Sequence, residues 1–483
     1  MIHPITLRDY TFLGTTRSLC PKCRRLVDAK IITRGRRVYF RKSCPEHGTI
    51  EDFVCSDLAY YDRHEFATPA RLPRVFGTLP DRGCPYDCGL CTEHEQHTCI
   101  ALVEITSSCN LHCPMCFAES GPGGKHIEFA EFTKMVDRYV LVEGTADVLQ
   151  LSGGEPTLHP QLVEMVRYAY EQPIAAVMIN TNGIRLARDP ELLDQLAPMR
   201  DRLEIYLQLD GLDDAAHLRL RGEPLLDIKL AALDALARRQ INCTLVCTVD
   251  HNTNMDQLGK LVRFGLERPG VRGISFQLAT YCGRHVDPAS LERRATMPDV
   301  VKGIVKQSQG LLEEADFYPL PCAHPNCHMM SYIYRGGGPP VPITRIIDVN
   351  QHLDLVANSI VYTPERVRNL AMKFMESTGN CCGPNGCGPS APPAQDFLTK
   401  ALAEKLHGAD VFRIMLIAFL DVHNFDVRRV MKCCISHILP SGHVVPFCAY
   451  NTLYRDGFVP LPPLVDEPKK AASTRMGLSL VAT

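Results

Sequence analysis

Between residues 101 and 279 the chain repeats one cycle: a short apolar run, a polar break, then apolar residues at helical spacing. Short continuous apolar runs bounded by turn residues are the pattern of strands covered on both faces, and the spacing that follows marks amphipathic helices. The pattern predicts strands at 101–106, 146–152, 174–181, 202–209, 242–249 and 272–279. Helices at 128–142, 161–171, 190–197, 225–239 and 255–267 separate them. Six strand–helix repeats predict an α/β fold, a partial (β/α)6 barrel over residues 101–310. Barrels of this kind carry their chemistry on loops at the C-terminal ends of the strands.

The flanking segments follow other rules. Residues 1–75 contain a predicted hairpin at 31–42, with Arg34-Gly35 as its turn and Val38-Tyr39-Phe40 returning. Cys20-Pro21-Lys22-Cys23 lies before it and Cys44-Pro45-Glu46-His47 after it, two knuckles of one shape. Knuckles joined by a hairpin bring four ligands to one ion, which predicts a rubredoxin- or zinc-ribbon-like domain. Cys20, Cys23 and Cys44 are three of its ligands, and His47 is the fourth by knuckle symmetry, with Cys55 its competitor. Three sulfurs and a histidine suit zinc, and four sulfurs leave iron open. Residues 69–80 are proline-rich and read as a linker. Residues 76–100 hold Cys84, Cys88, Cys91 and Cys99, a complete ligand set for one closed cluster or a zinc site.

Residues 311–483 read as a C-terminal auxiliary iron–sulfur domain. Cys322, Cys327, Cys433 (preferred to its neighbour Cys434) and Cys448 make a second closed set. Cys381, Cys382 and Cys387 form a loop that ligates, guards the site or acts in redox chemistry. A helix is predicted near 364–375, and residues 411–420 form the longest apolar stretch.

Composition narrows the class. The 483 residues are 45% hydrophobic and 22% charged, with formal net charge −2, so no global field favours nucleic acid. The 22 cysteines cluster at short spacings, and residues 1–10 lack the basic start and apolar run of a signal peptide. Metal ligation in a cytoplasmic, oxygen-sensitive protein is therefore expected over a disulfide framework. No apolar run reaches the length of a bilayer span, so membrane contact is expected to be peripheral at most.

The chemistry centres on Cys109-Asn110-Leu111-His112-Cys113-Pro114-Met115-Cys116, directly after the first predicted strand. Three thiolates at C-x3-C-x2-C spacing hold three irons of a four-iron cluster and leave the fourth open; the plain alternative is a zinc knuckle. The second strand ends in Ser152-Gly153-Gly154-Glu155-Pro156, where paired glycines let backbone approach a ligand. Asn182 follows the third strand, and Gln208 and Asp210 end the fourth. Polar side chains there suit a ribose, although Asn-Gly and Asp-Gly are also ordinary turn formers. Arg284, after the sixth strand, is a further candidate ligand contact. Cys243 and Cys247, on one face of a strand, read as core.

These motifs resemble the radical SAM superfamily. Cys84 to Cys91, Cys109 to Phe117, the double knuckle and Pro446-Phe447-Cys448-Ala449-Tyr450-Asn451 are similar to those of tetraether or membrane-spanning lipid synthases and of related hydroxymethylpterin methyltransferases. The resemblance implies a [4Fe-4S] cluster on Cys109, Cys113 and Cys116 that binds S-adenosyl-L-methionine (SAM) and cleaves it to a 5′-deoxyadenosyl radical. Gly153, Gly154 and Glu155 would hold the methionine end of SAM. Met115 replaces the aromatic residue usual before the third cysteine and would cover the adenine. Two auxiliary [4Fe-4S] clusters, an iron or zinc ion in the knuckle domain and a reductant such as flavodoxin or ferredoxin are also implied. The expected reaction is hydrogen abstraction from an unactivated C–H bond for carbon–carbon coupling of lipid chains. The alternatives are methyl transfer to a pterin or other small molecule, and a non-catalytic iron–sulfur carrier.

Overall fold

The computed structural model describes residues 8–285, 288–336, 338–361, 364–378, 392–465 and 469–470. The loop carrying Cys381, Cys382 and Cys387 lies outside them. Four antiparallel strands, β1 (Thr11–Leu19), β2 (Leu26–Arg34), β3 (Arg37–Cys44) and β4 (Gly48–Cys55), form an N-terminal ribbon in chain order. The β2–β3 turn is Gly35-Arg36, one residue beyond the predicted pair, because Arg34 stands opposite Arg37 in register.

The barrel strands are β5 (Ile100–Thr106), β6 (Ala146–Gly153), β7 (Ile174–Thr181), β8 (Leu203–Gln208), β9 (Asn242–Val249) and β10 (Val271–Leu278). They pair in parallel in sequence order, as the periodicity predicts. The helix Phe129–Glu143 shows how the layers join. Phe132, Met135, Val136, Tyr139 and Val142 recur at three- and four-residue steps and are buried. The Tyr139 hydroxyl lies 3.2 Å from Thr98 O and 3.1 Å from Val148 O, so its polar tip is satisfied inside the core.

The helices Asp214–Arg221 and Met297–Gln307 lie outside the expected set, although Met297, Val300, Val301 and Ile304 of the second recur at helical spacing. The first is short and largely polar; Asp213 accepts from the Ala216 amide at its start, and Gly222 ends it in the left-handed region. The second opens with a capping box between Thr296 and Asp299, a signal that is legible in the sequence.

The segment after residue 311 adds strands to both edges of the barrel sheet. Strand β12 (Val411–Ile417) pairs in parallel with β10, and β11 (His328–Tyr334) pairs antiparallel with β12. At the other edge β13 (Ile435–Ile438) pairs in parallel with β5, and β14 (Val444–Pro446) closes on β13. The edges of a six-stranded open barrel would expose unpaired backbone groups, and the C-terminal segment covers both. The apolar stretch at 411–420 is this internal strand with its exit. It is apolar because it is covered on both faces, and it gives no support to a lipid-facing role.

The ribbon docks through charge. Lys42 is fully buried, and its Nζ lies 2.8 Å from Asp52 and donates to Val422 O (2.8 Å) and His423 O (2.9 Å). His423 Nδ1 lies 3.1 Å from the same carboxylate. Burial pushes the Asp52 carboxyl up, but His423 and Lys42 more than reverse this and hold it below its ordinary value. The Asp52 contribution to stability is therefore present at neutral pH and is lost as pH falls through the depressed value. Lys42→Ala leaves Asp52 buried opposite an empty site and should cost about 3–5 kcal/mol in denaturant unfolding. A loss under about 1 kcal/mol would show that water replaces the ammonium.

Candidate active site and metal centres

The loop after β5 lies against the end of β6 backbone to backbone. Gly154 N–H donates to Thr106 O (2.7 Å) and Glu155 N–H to Ser108 O (2.8 Å). A Cβ on Gly153 would stand 2.1 Å from Thr106 O, and one on Gly154 2.2 Å from Ser108 O. The glycines are required because two chain segments touch, and the Gly154 amide is already engaged. Asn182 extends the contact: its Nδ2 donates to Asn110 Oδ1 (2.7 Å) and its Oδ1 accepts from the Ile184 amide (3.0 Å). From the far side Arg284 donates to Cys113 O (2.6 Å) and to Ser120 O, so it grips the loop.

This clamp encloses a cavity of about 150 Å³ lined by Cys109, Cys113, Cys116 and Met115. Gly153, Gly154, Glu155, Asn182 and Gln208 line its other walls. Glu155 is buried; its Oε1 accepts from Thr157 N (3.1 Å), Thr157 Oγ1 (2.6 Å) and Thr181 Oγ1 (2.6 Å), and Oε2 from Asn182 N (2.7 Å). It organises the ends of β6 and β7 and retains acceptor capacity on Oε2.

Asp210 departs from expectation. Its carboxylate accepts from Arg221 Nε (2.6 Å), Arg221 Nη2 (2.8 Å) and the Thr248 amide (2.9 Å), and it is fully buried. Burial pushes it up, and Arg221 more than compensates to hold it low. Arg221, not Asp210, lines the cavity. The same Nη2 reaches Gln208 Oε1 and Thr248 Oγ1, each at 2.9 Å. Sequence patterning misses Arg221 because it ends the short polar helix that periodicity did not detect.

The sulfurs fit a metal cluster. Burial, with the neighbouring Glu155, Cys113 and Cys116, pushes the Cys109 thiol up to about 11, so a bound cation would be what holds it as a thiolate. The Leu111 amide already points at Cys109 Sγ (3.4 Å). In the ribbon, His47 Nδ1 lies 3.5 Å from Cys20 Sγ and 3.4 Å from Cys44 Sγ, and Cys23 Sγ lies 3.8 Å from Cys44 Sγ. These four ligand atoms all fall within 4.8 Å of one another. Cys55 packs instead with Ala29, Ile31, Val38 and Phe40, where burial pushes its thiol up to about 12.

Residues 103–265 match the radical SAM superfamily, and residues 12–56 match the HMPTM N-terminal zinc ribbon domain. The chain is 32% identical to the 7,8-dihydro-6-hydroxymethylpterin dimethyltransferase of Methanocaldococcus jannaschii, over 91% of this chain and 94% of that one. The chain belongs to the radical SAM superfamily. It is also 27% identical to the mycofactocin maturase MftC of Mycolicibacterium smegmatis, over 35% of this chain and 45% of that one. The structure of Streptococcus suis SuiB bound to S-adenosylmethionine aligns over 43% of this chain and 46% of that chain, with 16% identity and a TM-score of 0.36. The expectation of lipid-chain coupling draws no support from these relatives.

In this radical SAM chain the other cysteines fall into three neighbourhoods. Cys84, Cys88 and Cys91 line one small cavity with His94, Val430, Met431 and Pro446. The dominant neighbours of the Cys99 thiol are Cys322 and Cys434. Cys433 pairs with Cys448, and Cys327 lies close to both, with Arg429 Nε 3.3 Å from Cys327 Sγ. The physical reason is the β5 edge. The Cys99 amide and the Ile100 amide both donate to Cys434 O (2.8 and 3.1 Å), which ties Cys99 to the C-terminal segment. A signal was available: Cys84-x3-Cys88-x2-Cys91 repeats the spacing of Cys109-x3-Cys113-x2-Cys116, which makes Cys99 surplus to the motif.

Among the described residues no helix is long and apolar enough to cross a membrane. His47→Ala should lower ribbon metal content from one ion to well under half an ion per chain by elemental analysis, and Cys55→Ala should leave it unchanged. Full metal content in His47→Ala would remove the histidine from the ligand set.

Proposed function

We propose that the chain is a radical SAM methyltransferase acting on a pterin-type small molecule. The observation that carries this reading is the 32% identity across 91% of the chain to a pterin dimethyltransferase. Cys109, Cys113 and Cys116 would hold the four-iron cluster, and the open iron would bind SAM. When bound, that pair supplies reductive cleavage of a carbon–sulfur bond.

The chain's own residues supply position and charge. Glu155 Oε2 is a buried acceptor for the amino group of SAM. Arg221 is the cation of the cavity wall, and its charged form is favoured because Asp210 offsets the burial that opposes it. It is the natural partner for the carboxylate of SAM. Met115 offers a soft apolar surface to the adenine. The auxiliary cysteines, grouped near the barrel edge, would hold two further clusters that pass electrons from flavodoxin or ferredoxin.

Expression in a host with a pterin pool, followed by mass spectrometry, should reveal hydroxymethylpterins carrying added methyl groups. Cys113→Ala, which removes a cluster ligand, should abolish them together with 5′-deoxyadenosine. Deoxyadenosine formation with an unaltered pterin pool would reject the pterin substrate and retain the radical SAM activity. Arg221→Met should weaken SAM binding about tenfold or more in equilibrium dialysis, the scale of one lost charged hydrogen bond. Wild-type affinity would place the carboxylate elsewhere.

A further inference from the structure

A second recess lies beside the cluster cavity, between the ribbon and the barrel mouth. Leu278, Ala279 and Phe419 line both, so the two share a wall. The outer side of the recess comes from the ribbon and the residues just after it: Phe40, Val54, Tyr60 and Tyr61. Its volume is about 50 Å³ against about 150 Å³ for the cluster cavity. The recess is the smaller of the two and is walled by the aromatic side chains of Phe40, Tyr60, Tyr61 and Phe419.

One charged group of this recess is incompletely used. Arg294 lines it, and its side chain is only 4% exposed. Its Nη2 donates to the buried Asp421 carboxylate, and its guanidinium lies 4.9 Å from the Tyr281 ring centroid. Its Nη1 is buried with no hydrogen-bond partner. An enclosed donor of a charged side chain left unpaired is costly, and the cost is removed when a ligand brings an acceptor to it. Asp421 is fixed by the amides of Tyr281 (3.1 Å), His423 (2.9 Å) and Asn424 (3.3 Å), so Arg294 is held rigidly from behind. His423 also belongs to the Lys42–Asp52 contact that seats the ribbon. The seating of the ribbon and the aim of Arg294 therefore depend on one loop.

We propose that this recess is the substrate site and that Arg294 is its recognition donor, for a fused, planar heterocycle bearing a carbonyl or ring-nitrogen acceptor. The aromatic side chains of the ribbon and Phe419 enclose the ring faces, and Arg294 reads its polar edge. The ribbon then has a task besides holding its ion: it is one wall of the substrate site. The assignment rests on the pterin reading.

The experiment measures binding of 6-hydroxymethyl-7,8-dihydropterin to the full-length, anaerobically reconstituted protein by calorimetry. Arg294→Lys keeps the charge opposite Asp421 and removes the forked donor. It should bind the pterin at least about tenfold more weakly while keeping wild-type iron content and thermal midpoint. Ala418→Leu fills the recess from β12's exit with Arg294 intact, and should weaken binding comparably; it decides the matter if Arg294→Lys does not fold. Wild-type affinity in either folded variant overturns the recess and leaves the pterin reading standing. A wild-type protein that binds no pterin overturns both, and that result is separate because it appears before any substitution is made.

Discussion

The active site depends on a short backbone contact, residues 106–108 against 153–155. Two amide hydrogen bonds and two glycines without room for a Cβ bring the loop after the first barrel strand onto the end of the second. That contact sets the height of the three cysteines over the barrel mouth. Asn182 then ties the loop to the third strand, and Arg284 holds it from the sixth. A site clamped from several strand ends is fixed before any cofactor arrives, and this geometric precision is what a rigid scaffold provides.

Buried charge does the rest of the positioning. Arg221 with Asp210, Lys42 with Asp52 and Arg294 with Asp421 are three enclosed pairs; the first two join neighbouring elements, and the third joins segments 127 residues apart. Such pairs add little net stability, because desolvation consumes much of their attraction. Their effect is directional: a guanidinium held by a carboxylate from one side presents its remaining donors on the other. Arg221 does so at the cluster cavity and Arg294 at the recess beside it. The third pair, with His423, fixes the ribbon to the same loop that steadies Arg294.

The strands were legible because their signal is local. An apolar run covered on both faces looks the same wherever the sheet places it, and β5 to β10 fall within one residue of the boundaries that periodicity predicts. The cysteine triplet and the closeness of His47 to Cys20, Cys23 and Cys44 were legible for the same reason, since knuckle residues lie close along the chain. Arg221 was hidden by a helix whose stability comes from its caps and its neighbours, not from an apolar face. The neighbourhood of Cys99 with Cys322 and Cys434 was not legible, because it depends on long-range backbone bonding to residue 434.

By itself, the order of residues determined the barrel, the knuckle ion site and the three-sulfur motif, all of which rest on short-range spacing and on what a buried strand must contain. Only the tertiary structure decided which distant cysteines share a neighbourhood, that the C-terminal segment completes both sheet edges, and which cation faces each cavity. Those outcomes depend on long-range pairing and on burial, where hydrogen bonds and charges are satisfied by whichever groups the fold brings near.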